Sequence, residues 1–330
     1  MVQHLKHAYI AGTGYYVPKK VLTNKDLEKI VDTSDEWITT RTGIKERRIA
    51  AREETTSVIG AKAAKQALKA AGIKADELDL IITATITPDM PFPATSALIQ
   101  NIIGACKAGV VDIEAACSGY IYAISMANQF IRTGEYKNIL IVASEILSRI
   151  TDWEDRNTCV LFGDAAGAAV IRESQSKSEI IAAYLGGDGA YKDLLYLPGG
   201  GSLNPVSKAT IDKRLHYIKM KGNETFKVAV TQMSLSAEKV LEKAGMTKKD
   251  VSLLVPHQAN LRIIQAVQKR LELPDDKVYI NVNRYGNTSA ATIAVAIAEA
   301  VQEGKVKKGD IILFVAFGGG FTWASALIRW

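Results

Sequence analysis

The chain has 330 residues, of which 48% are hydrophobic and 23% are charged. This length and composition allow a large buried core in one or two domains and argue against a disordered protein. The formal net charge of +6 allows acidic partners. The sequence has no zinc-finger spacing, no interleaving of aromatic with basic residues and no long basic run, which argues against nucleic-acid binding.

Location and metal content are also constrained by the sequence. The longest nearly apolar stretch, residues 289–301, is shorter than the roughly 20 residues that a membrane-spanning helix needs. Residues 1–7 lack the apolar core of a secretory signal. The cysteines are an odd number without metal-ligand spacing: Cys106, Cys117 and Cys159. We therefore expect a cytoplasmic protein that binds no membrane, carries no disulfide framework and holds no metal.

Apolar patterns predict strands and helices that alternate along the chain. In the first half they predict a helix over 58–71, strands over 80–85 and 110–113, a helix over 117–133 and a strand over 139–143. The second half gives helices over 226–244, 261–271 and 290–302, and strands over 253–255, 278–282 and 311–316. Such alternation predicts a layered α/β fold with two mainly parallel sheets. Residues 186–222, rich in Gly and Pro, predict a loop that could border a substrate entrance.

An internal repeat relates the two halves. Gly72 and Gly245 each follow a predicted helix and precede a strand. Ala143 and Ala316 end later strands, and the offset from Ala143 to Ala316 equals the offset from Gly72 to Gly245. We therefore predict a duplicated chain that divides near residue 175, into a half from 1 to 175 and a half from 176 to 330.

Cys117 is the first candidate catalytic residue. It lies where an apolar strand runs into small residues and then into a helix. A helix N-terminus carries partial positive charge and unpaired N–H groups, which favour the thiolate of a cysteine placed there. The competing interpretation is a small buried hydrophobic residue. We interpret Cys106 and Cys159, which lie beside apolar residues, as packing cysteines.

Three downstream features supply partners for this thiol. His257 follows a proline at the end of a buried strand, and Asn287 lies in a Gly-Asn-Thr turn that a helix cap would also explain. Under the offset of the repeat Cys117 corresponds to Ala290, so strand ends related by the repeat could bring these residues together. The glycine run 318–320 follows the last predicted strand, and its backbone could donate to an oxyanion.

Together these motifs resemble the β-ketoacyl-acyl-carrier-protein synthase III family. They are Ala-Ala-Cys-Ser-Gly at Cys117, Val-Pro-His-Gln-Ala-Asn-Leu-Arg-Ile at His257, Gly-Asn-Thr-Ser-Ala-Ala at Asn287, and Ala-Phe-Gly-Gly-Gly-Phe-Thr-Trp at 316–323. Residues 35–44 resemble the early signature of the family, so the likeness covers essentially the whole chain. The resemblance implies a thiolase-like, internally duplicated fold of five layers, α-β-α-β-α, and a homodimer.

The resemblance also implies an acyltransferase reaction that initiates fatty acid biosynthesis. Cys117 would take the acyl group from an acyl-CoA, and malonyl-acyl carrier protein (malonyl-ACP) would lose CO2 and attack it. The N–H groups of Cys117 and Gly319 would form the oxyanion hole, while His257 and Asn287 would stabilise the enolate. No cofactor is implied, because the CoA thioester is a substrate. Related elongating synthases resemble a Cys-His-His set and thiolases use a second cysteine, whereas the third residue here is Asn287.

Binding residues follow from the same resemblance. The CoA contacts are Thr33, Trp37, Arg41, Arg156 and Asn260. The carrier-protein contacts are Gln258, Ala259, Asn260, Leu261 and Arg262, with a basic patch extended by Lys227, Lys269 and Arg270. The acyl pocket would include Leu161 and Phe92, the latter reaching across the dimer. Surface aromatics, ordinary salt bridges and plain interface packing are the competing explanations.

Two alternatives stay open at the level of sequence. A relative could use the same three residues in a polyketide or quinolone-type condensation, or in simple acyl transfer. A non-catalytic scaffold that binds acyl carrier protein is the other, and the intact set of Cys117, His257 and Asn287 argues against it. The primer depends on the volume around Phe92 and Leu161, where one methylene changes binding by only about 1–3 kcal/mol.

Overall fold

The computed structural model describes residues 5–330. Residues 1–4, part of the segment inspected for a secretory signal, lie outside this range. The strands are β1 (Ala8–Tyr16), β2 (Lys20–Thr23), β3 (Glu46–Ile49), β4 (Leu80–Ala84), β5 (Gly109–Ile113), β6 (Asn138–Ile146), β7 (Asp164–Glu173), β8 (Glu179–Gly187), β9 (Leu195–Tyr196), β10 (Lys219–Met220), β11 (Leu253–Pro256), β12 (Ile311–Gly318) and β13 (Thr322–Arg329). The α-helices are α1 (Asn24–Leu27), α2 (Asp35–Thr42), α3 (Thr56–Ala71), α4 (Thr95–Ile103), α5 (Gly119–Thr133), α6 (Arg156–Cys159), α7 (Lys208–Asp212), α8 (Gly222–Ala244), α9 (Leu261–Leu271), α10 (Val282–Tyr285) and α11 (Ala291–Gln302).

Two large sheets repeat one strand order. The first sheet runs β1-β7-β6-β4-β5 and the second runs β8-β13-β12-β11. Strands β4 and β11 begin at Leu80 and Leu253, and β6 and β12 begin at Asn138 and Ile311. Both pairs keep the offset that separates the two helix-ending glycines, so the duplication predicted from the sequence is confirmed. The polar stretch at which we predict the halves to divide lies between β7 and β8.

Both sheets are mixed, so the prediction of mainly parallel sheets was wrong. Strand β4 is parallel to β5 and β6, but β7 runs antiparallel to both β6 and β1. In the second sheet β11 and β12 are parallel, while β13 is antiparallel to β12 and β8. Strand β7 is rich in alanine, which has a weak strand preference, so its sequence pattern did not reveal this return strand.

Five layers result from how the helices pack. Helices α3 and α4 cover the outer face of the first sheet, and α8 and α9 cover the outer face of the second. Between the sheets lie α5 and α11, which contact strands of both. Helix α11 is buried on every side from Ala291 to Ala300, as expected for a helix that is apolar all round. The five-layered thiolase-like fold expected from the resemblance is therefore confirmed.

The segment 278–282 is not the strand that its apolar composition predicted. Val278 makes a single bridge to Leu254, and the Tyr279 N–H donates to the Leu254 carbonyl at 2.9 Å. Beyond that point the side chain of Gln258 replaces a strand, because its Oε1 accepts from the N–H groups of Asn281 and Val282 at 3.0 and 3.2 Å. The chain then turns into α10. An apolar strand-like pattern indicates that a segment is buried, but it does not show which group hydrogen-bonds to the backbone of that segment.

Two further expectations can be compared with the structure. Cys159 is buried as predicted, but Cys106 is exposed, so its interpretation as a packing cysteine was wrong. It lies in the turn between α4 and the exposed edge strand β5, where apolar neighbours in sequence do not bring burial. Residues 186–222 are mostly loop, interrupted by the end of β8, β9, α7 and β10. Within residues 5–330, no helix has the length and apolar composition needed to span a membrane.

Candidate active site

Cys117 lies in a 3-10 turn, Ala116–Ser118, that leads directly into α5. The preceding Ala116 has a φ of 44°, in the left-handed region that non-glycine residues rarely adopt. The Cys117 side chain is 7% exposed. Cys117 therefore lies at the start of a helix, as the sequence predicts, and its thiol is almost fully buried.

A glycine at the end of β12 allows the turn that carries Cys117 to pack closely against this strand. A Cβ on Gly318 would lie 2.6 Å from the Cys117 nitrogen and 3.1 Å from the Ala115 carbonyl oxygen, so only glycine fits here. Gly319 follows at the turn and is partly exposed. The two groups predicted to form an oxyanion hole, Cys117 and Gly319, thus belong to segments in direct backbone contact.

His257 is fixed at the end of β11. Its backbone N–H donates to the Val315 carbonyl at 2.8 Å, and its side chain is 3% exposed. The Nδ1 atom lies 2.7 Å from the Thr292 hydroxyl in the first turn of α11. We assign the hydroxyl as the donor, which places the hydrogen of the neutral imidazole on Nε2.

Asn287 is held by its backbone and by its side chain. Its N–H donates to the Leu161 carbonyl at 2.8 Å, and its carbonyl accepts from the Gly163 N–H at 3.0 Å. The Oδ1 atom accepts from the Ser289 N–H at 2.8 Å. A backbone N–H can only donate, so this contact identifies the oxygen and leaves the Nδ2 hydrogens free as donors.

The start of α11 brings the three predicted residues together. Ser289 contacts both Cys117, with 3.5 Å between Sγ and Oγ, and Asn287, through its backbone. Thr292, less than one turn later, holds His257. Sequence reasoning did not single out Ser289 or Thr292, although both stand in the polar run that opens the predicted helix.

Burial keeps both reactive groups neutral. It raises the pKa of the Cys117 thiol to about 12, an effect that the hydrogen bond to Ser289 only partly offsets. It also lowers the pKa of His257 to about 3. The sequence predicts a thiolate favoured by the helix start, whereas burial in the resting site favours the neutral thiol.

One buried carboxylate near the site was missed. Glu145 lies near the end of β6, is fully buried, and accepts hydrogen bonds from the Thr85 and Thr87 hydroxyls. Burial raises its pKa to about 7, and hydrogen bonds from Thr87, Ile86, Ser289 and Thr85 oppose that shift. The signal in the sequence was a glutamate that continues an otherwise apolar strand.

Residues predicted to bind CoA form one cluster around Trp37. The Cζ atoms of Arg41 and Arg156 lie 4.9 and 5.0 Å from the Trp37 ring centroid. The Nδ2 atom of Asn260 donates to the Arg41 carbonyl, and the Thr33 hydroxyl is buried with no hydrogen-bond partner in the described part of the chain. A cleft of about 290 Å³ adjoins them, lined by Ile30, Val31, Asp32, Glu154 and Arg156.

Residues predicted to contact a carrier protein divide into two groups. Arg262, Lys227, Lys269 and Arg270 are exposed, while Ala259, Asn260 and Leu261 are partly buried where α9 begins. Gln258 is different, because it is 1% exposed and donates to the Pro256 and Tyr279 carbonyls. The assignment of Gln258 to a docking surface was therefore wrong, since every part of its amide is used to hold the strand end.

The two predicted acyl-pocket residues differ in burial. Leu161 packs against the cluster of Leu147, Phe162 and Ile218, and its carbonyl accepts the Asn287 N–H. Phe92 is 84% exposed and stands on the surface beside α4. Among residues 5–330, no group of three or more His, Cys, Asp or Glu side chains is placed to hold a metal ion.

Known proteins are similar to this chain over nearly its full length. The family models described as 3-oxoacyl-[acyl-carrier-protein (ACP)] synthase III, and as its C-terminal part, match residues 111–189 and 241–330. A β-ketoacyl-[acyl-carrier-protein] synthase III from Caldanaerobacter subterraneus subsp. tengcongensis is 55% identical over 323 residues, covering 98% of each chain.

Solved structures agree with this relationship. The 3-oxoacyl-[acyl-carrier-protein] synthase III from Aquifex aeolicus superposes with a TM-score of 0.91 at 52% identity, covering 98% of this chain and 100% of that one. The priming β-ketosynthase of the R1128 polyketide biosynthetic pathway gives a TM-score of 0.92 at 35% identity, covering 99% and 98%. The resemblance stated from the motifs is confirmed, and the chain belongs to the β-ketoacyl-acyl-carrier-protein synthase III family.

Proposed function

We propose that this protein condenses a short-chain acyl-CoA primer with malonyl-ACP and so initiates fatty acid biosynthesis. The products are β-ketoacyl-ACP, CoA and CO2, and the acyl group is carried on Cys117 between the two half-reactions. The observation that carries the proposal is that Cys117, His257 and Asn287 all contact residues 289–292, where α11 begins.

In the first half-reaction the Cys117 sulfur attacks the thioester carbon, and the bond to the CoA sulfur breaks. The tetrahedral intermediate carries negative charge on its oxygen, for which the N–H groups of Cys117 and Gly319 are the proposed donors. The absence of a side chain at Gly318 supports this role, because a Cβ there would clash with the Cys117 nitrogen. The partial positive charge at the start of α5 adds to the stabilisation.

In the second half-reaction malonyl-ACP loses CO2 and leaves an enolate. The free Nδ2 hydrogens of Asn287 and the Nε2 hydrogen of His257 are the proposed donors to its oxygen. Burial keeps His257 neutral, with a pKa of about 3, so it donates without changing charge near neutral pH. The carbanion then bonds to the acyl carbon, the bond to the Cys117 sulfur breaks, and the sulfur regains a proton. The CoA thioester is a substrate, and no resident cofactor is needed.

Substrate binding follows from the two surface clusters. We assign the CoA adenine to Trp37 and Arg156, because indole and guanidinium planes stack well on a purine, and we assign Arg41 as a further CoA contact. Arg262 and its exposed basic neighbours Lys227, Lys269 and Arg270 supply positive charge for an acidic carrier protein. Asn260 joins the two clusters, since it caps α9 and also contacts Arg41.

A homodimer is part of the proposal. Strand β5 is the edge of the first sheet, and its Val110 is 37% exposed, while Phe92 nearby is 84% exposed. An uncovered edge with large apolar side chains is typical of a surface that pairs with a second copy. Phe92 would then close the acyl pocket of the partner. Sedimentation of Phe92→Asp and Val110→Lys variants should show monomers, and an unchanged dimer would contradict this assignment.

The location and the division of the chain are also proposed. All three cysteines are free, which suits the reducing cytoplasm. We place the nucleophile in a half formed by residues 1–175, and His257 and Asn287 in a half formed by residues 176–330.

The decisive test is mass spectrometry of the intact protein after incubation with acetyl-CoA or a branched short-chain acyl-CoA. We expect an acyl adduct that is lost in Cys117→Ala and retained in Cys159→Ala, the matched change at a buried cysteine. Malonyl-ACP should then convert the adduct to β-ketoacyl-ACP. Absence of an adduct with every acyl-CoA tried would overturn an enzymatic function and favour a scaffold that binds carrier protein.

A second candidate is the priming condensation of a specialised pathway. The likeness to the R1128 priming β-ketosynthase favours it. Turnover with acetyl-, isobutyryl- and longer acyl-CoA separates the two functions, because a housekeeping enzyme should prefer a short primer. Transfer of the acyl group without loss of CO2 would instead indicate simple acyl transfer.

A further inference from the structure

Glu145 is a buried carboxylate without a cationic partner. It is 0% exposed, and none of the ion pairs among residues 5–330 involves it. Its neighbours in the sheet face away from it. Asp164 on β7 pairs with Ile146, the residue after Glu145 on β6, and therefore lies on the opposite face of the sheet from Glu145. Ser144, the residue before Glu145, donates to the Thr56 carbonyl on α3.

Neutral donors surround this carboxylate. The Thr87 hydroxyl donates to it at 2.6 Å, the Thr85 hydroxyl at 3.2 Å and the Ile86 N–H at 3.1 Å. Each hydroxyl accepts a backbone N–H in turn, Thr85 from Thr87 at 3.0 Å and Thr87 from Ile146 at 2.9 Å. The hydroxyl hydrogens are therefore directed at Glu145, which favours its ionised form.

The remaining partner is Ser289, which connects Glu145 to the nucleophile. The Cys117 thiol donates to the Ser289 oxygen, with 3.5 Å between Sγ and Oγ. The Ser289 hydroxyl also lies close enough to Glu145 to lower the pKa of that carboxyl. Ser289 has a φ of 49°, a left-handed conformation that costs free energy in a non-glycine residue. The bond from its N–H to Asn287 helps to hold it there.

We propose that Glu145, acting through Ser289, receives the proton of the Cys117 thiol when the sulfur attacks the acyl-CoA. This inference rests on the proposed function. As the bond between sulfur and acyl carbon forms, the thiol proton moves to the Ser289 oxygen, and the Ser289 proton moves to Glu145. When the CoA sulfur leaves, the proton returns through Ser289 and is delivered to it. The proton that leaves the Cys117 thiol ends on the CoA sulfur, so the step needs no other proton donor or acceptor.

The electrostatics favour proton acceptance over stabilisation of a standing thiolate. The charge of Glu145 raises the pKa of Cys117, so it opposes a thiolate at rest. His257 is an unsuitable acceptor, because burial lowers its pKa to about 3 and its Nδ1 is engaged by Thr292. Around Glu145, the segment 85–87 and the turn before α11 contribute neutral donors, and the turn before α5 contributes Cys117 as the titratable group.

The test is the single-turnover rate of CoA release from acetyl-CoA by the full-length protein. In Glu145→Gln and in Ser289→Ala we expect this rate to fall about 100-fold, at the lower end of what a general base contributes. Because burial raises the pKa of Glu145 to about 7, the wild-type rate should rise with pH up to about 7 and then level off. The rise should disappear in both variants, which a purely structural role would not produce.

Asp164→Asn is the matched control. Asp164 is also a fully buried carboxylate, bonded to Ser148 and to the Ala50 N–H, and it should keep the pH-dependent rise. Ser289→Ala protects the test if Glu145→Gln fails to fold, because alanine already stands at positive φ in Ala116, the related position of the other half. Unchanged rates and an unchanged pH profile in the variants would overturn the relay. Failure of the wild type to form the Cys117 adduct would instead overturn the proposed function.

Discussion

The two halves each begin a central helix in the same way, but with different side chains. In the first half Ala116 has a φ of 44° and precedes Cys117 at the start of α5. In the second half Ser289, the repeat equivalent of Ala116, has a φ of 49° and leads into α11. Both turns direct the start of a helix toward the space between the two sheets.

The residues that face these two turns are themselves related by the repeat, but they differ in side chain. Gly318 lies against the first turn, where an added side chain would clash with the Cys117 nitrogen. Glu145, which is related to Gly318 by the offset of the repeat, lies close to Ser289 of the second turn, whose hydroxyl lowers the pKa of the carboxyl. The two halves thus share one backbone turn, which precedes the proposed nucleophile Cys117 in the first half and places its hydrogen-bond partner Ser289 in the second.

The largest expected effect comes from removing the space at the first turn. In Gly318→Ala the new Cβ would lie 2.6 Å from the Cys117 nitrogen, so the nucleophile and its N–H must move. We expect acylation to slow about 1,000-fold, since loss of one oxyanion donor or a small misplacement each costs about 100-fold or more. Adduct formation by mass spectrometry measures this. Gly201→Ala, with no atom near the added Cβ, is the control, and normal acylation in Gly318→Ala would show that the two turns are not distinguished by this glycine.

The next effect separates the two half-reactions at the second turn. In Asn287→Asp an oxygen still accepts from the Ser289 N–H, but the free Nδ2 donor is lost. We expect condensation with malonyl-ACP to fall about 100-fold while acylation by acyl-CoA continues. Product formation from pre-acylated protein tests this, with Asn101→Asp on the surface as the control. A loss confined to acylation would contradict the role of Asn287.

A smaller effect tests what anchors the second half alone. Glu299 on α11 accepts from Asn281 at 2.7 Å, from Arg284 at 3.1 Å and from Tyr285, whereas the related position in α5 is Met126. In Glu299→Gln we expect the free energy of unfolding to fall by about 2 kcal/mol, because bonds to a charged acceptor are the strong ones. Urea denaturation measures it. Met126→Leu should change it less, and equal losses would remove this difference between the halves.

The smallest effect concerns the two left-handed residues themselves. In Ala116→Gly the relief of backbone strain, about 1–2 kcal/mol, is largely offset by the entropy that glycine loses on folding. We expect thermal unfolding to show a change in stability below about 1 kcal/mol, and the same for Ser289→Gly. Acylation should fall only in Ser289→Gly, which also loses its hydroxyl. A large loss of stability in either variant would mean that the side chain, and not the backbone conformation, holds the turn.

The sequence predicted those parts of the fold that local chemistry determines. Gly72 and Gly245 end their helices with φ values of 67° and 64°, as a glycine stop requires. The catalytic candidates were found because each stands at a strand end or helix start. Segment 278–282 was misassigned because Gln258, distant in sequence, replaces its strand partner. Glu145 was missed because its partners come from the segment after β4 and the turn before α11. These segments are distant from Glu145 in sequence, so no local sequence pattern predicts their contact.

The central layer has a consequence for how the chain becomes active. Helices α5 and α11 each contact both sheets, so neither half can cover its own central helix when alone. The bonds of Cys117 to Ser289 and of Thr322 to Ala115 join residues from opposite halves. The reactive centre is therefore complete only after the halves have docked. We therefore expect the proposed acylation of Cys117 to occur only in the finished fold, and a partly folded chain to carry an unreactive thiol.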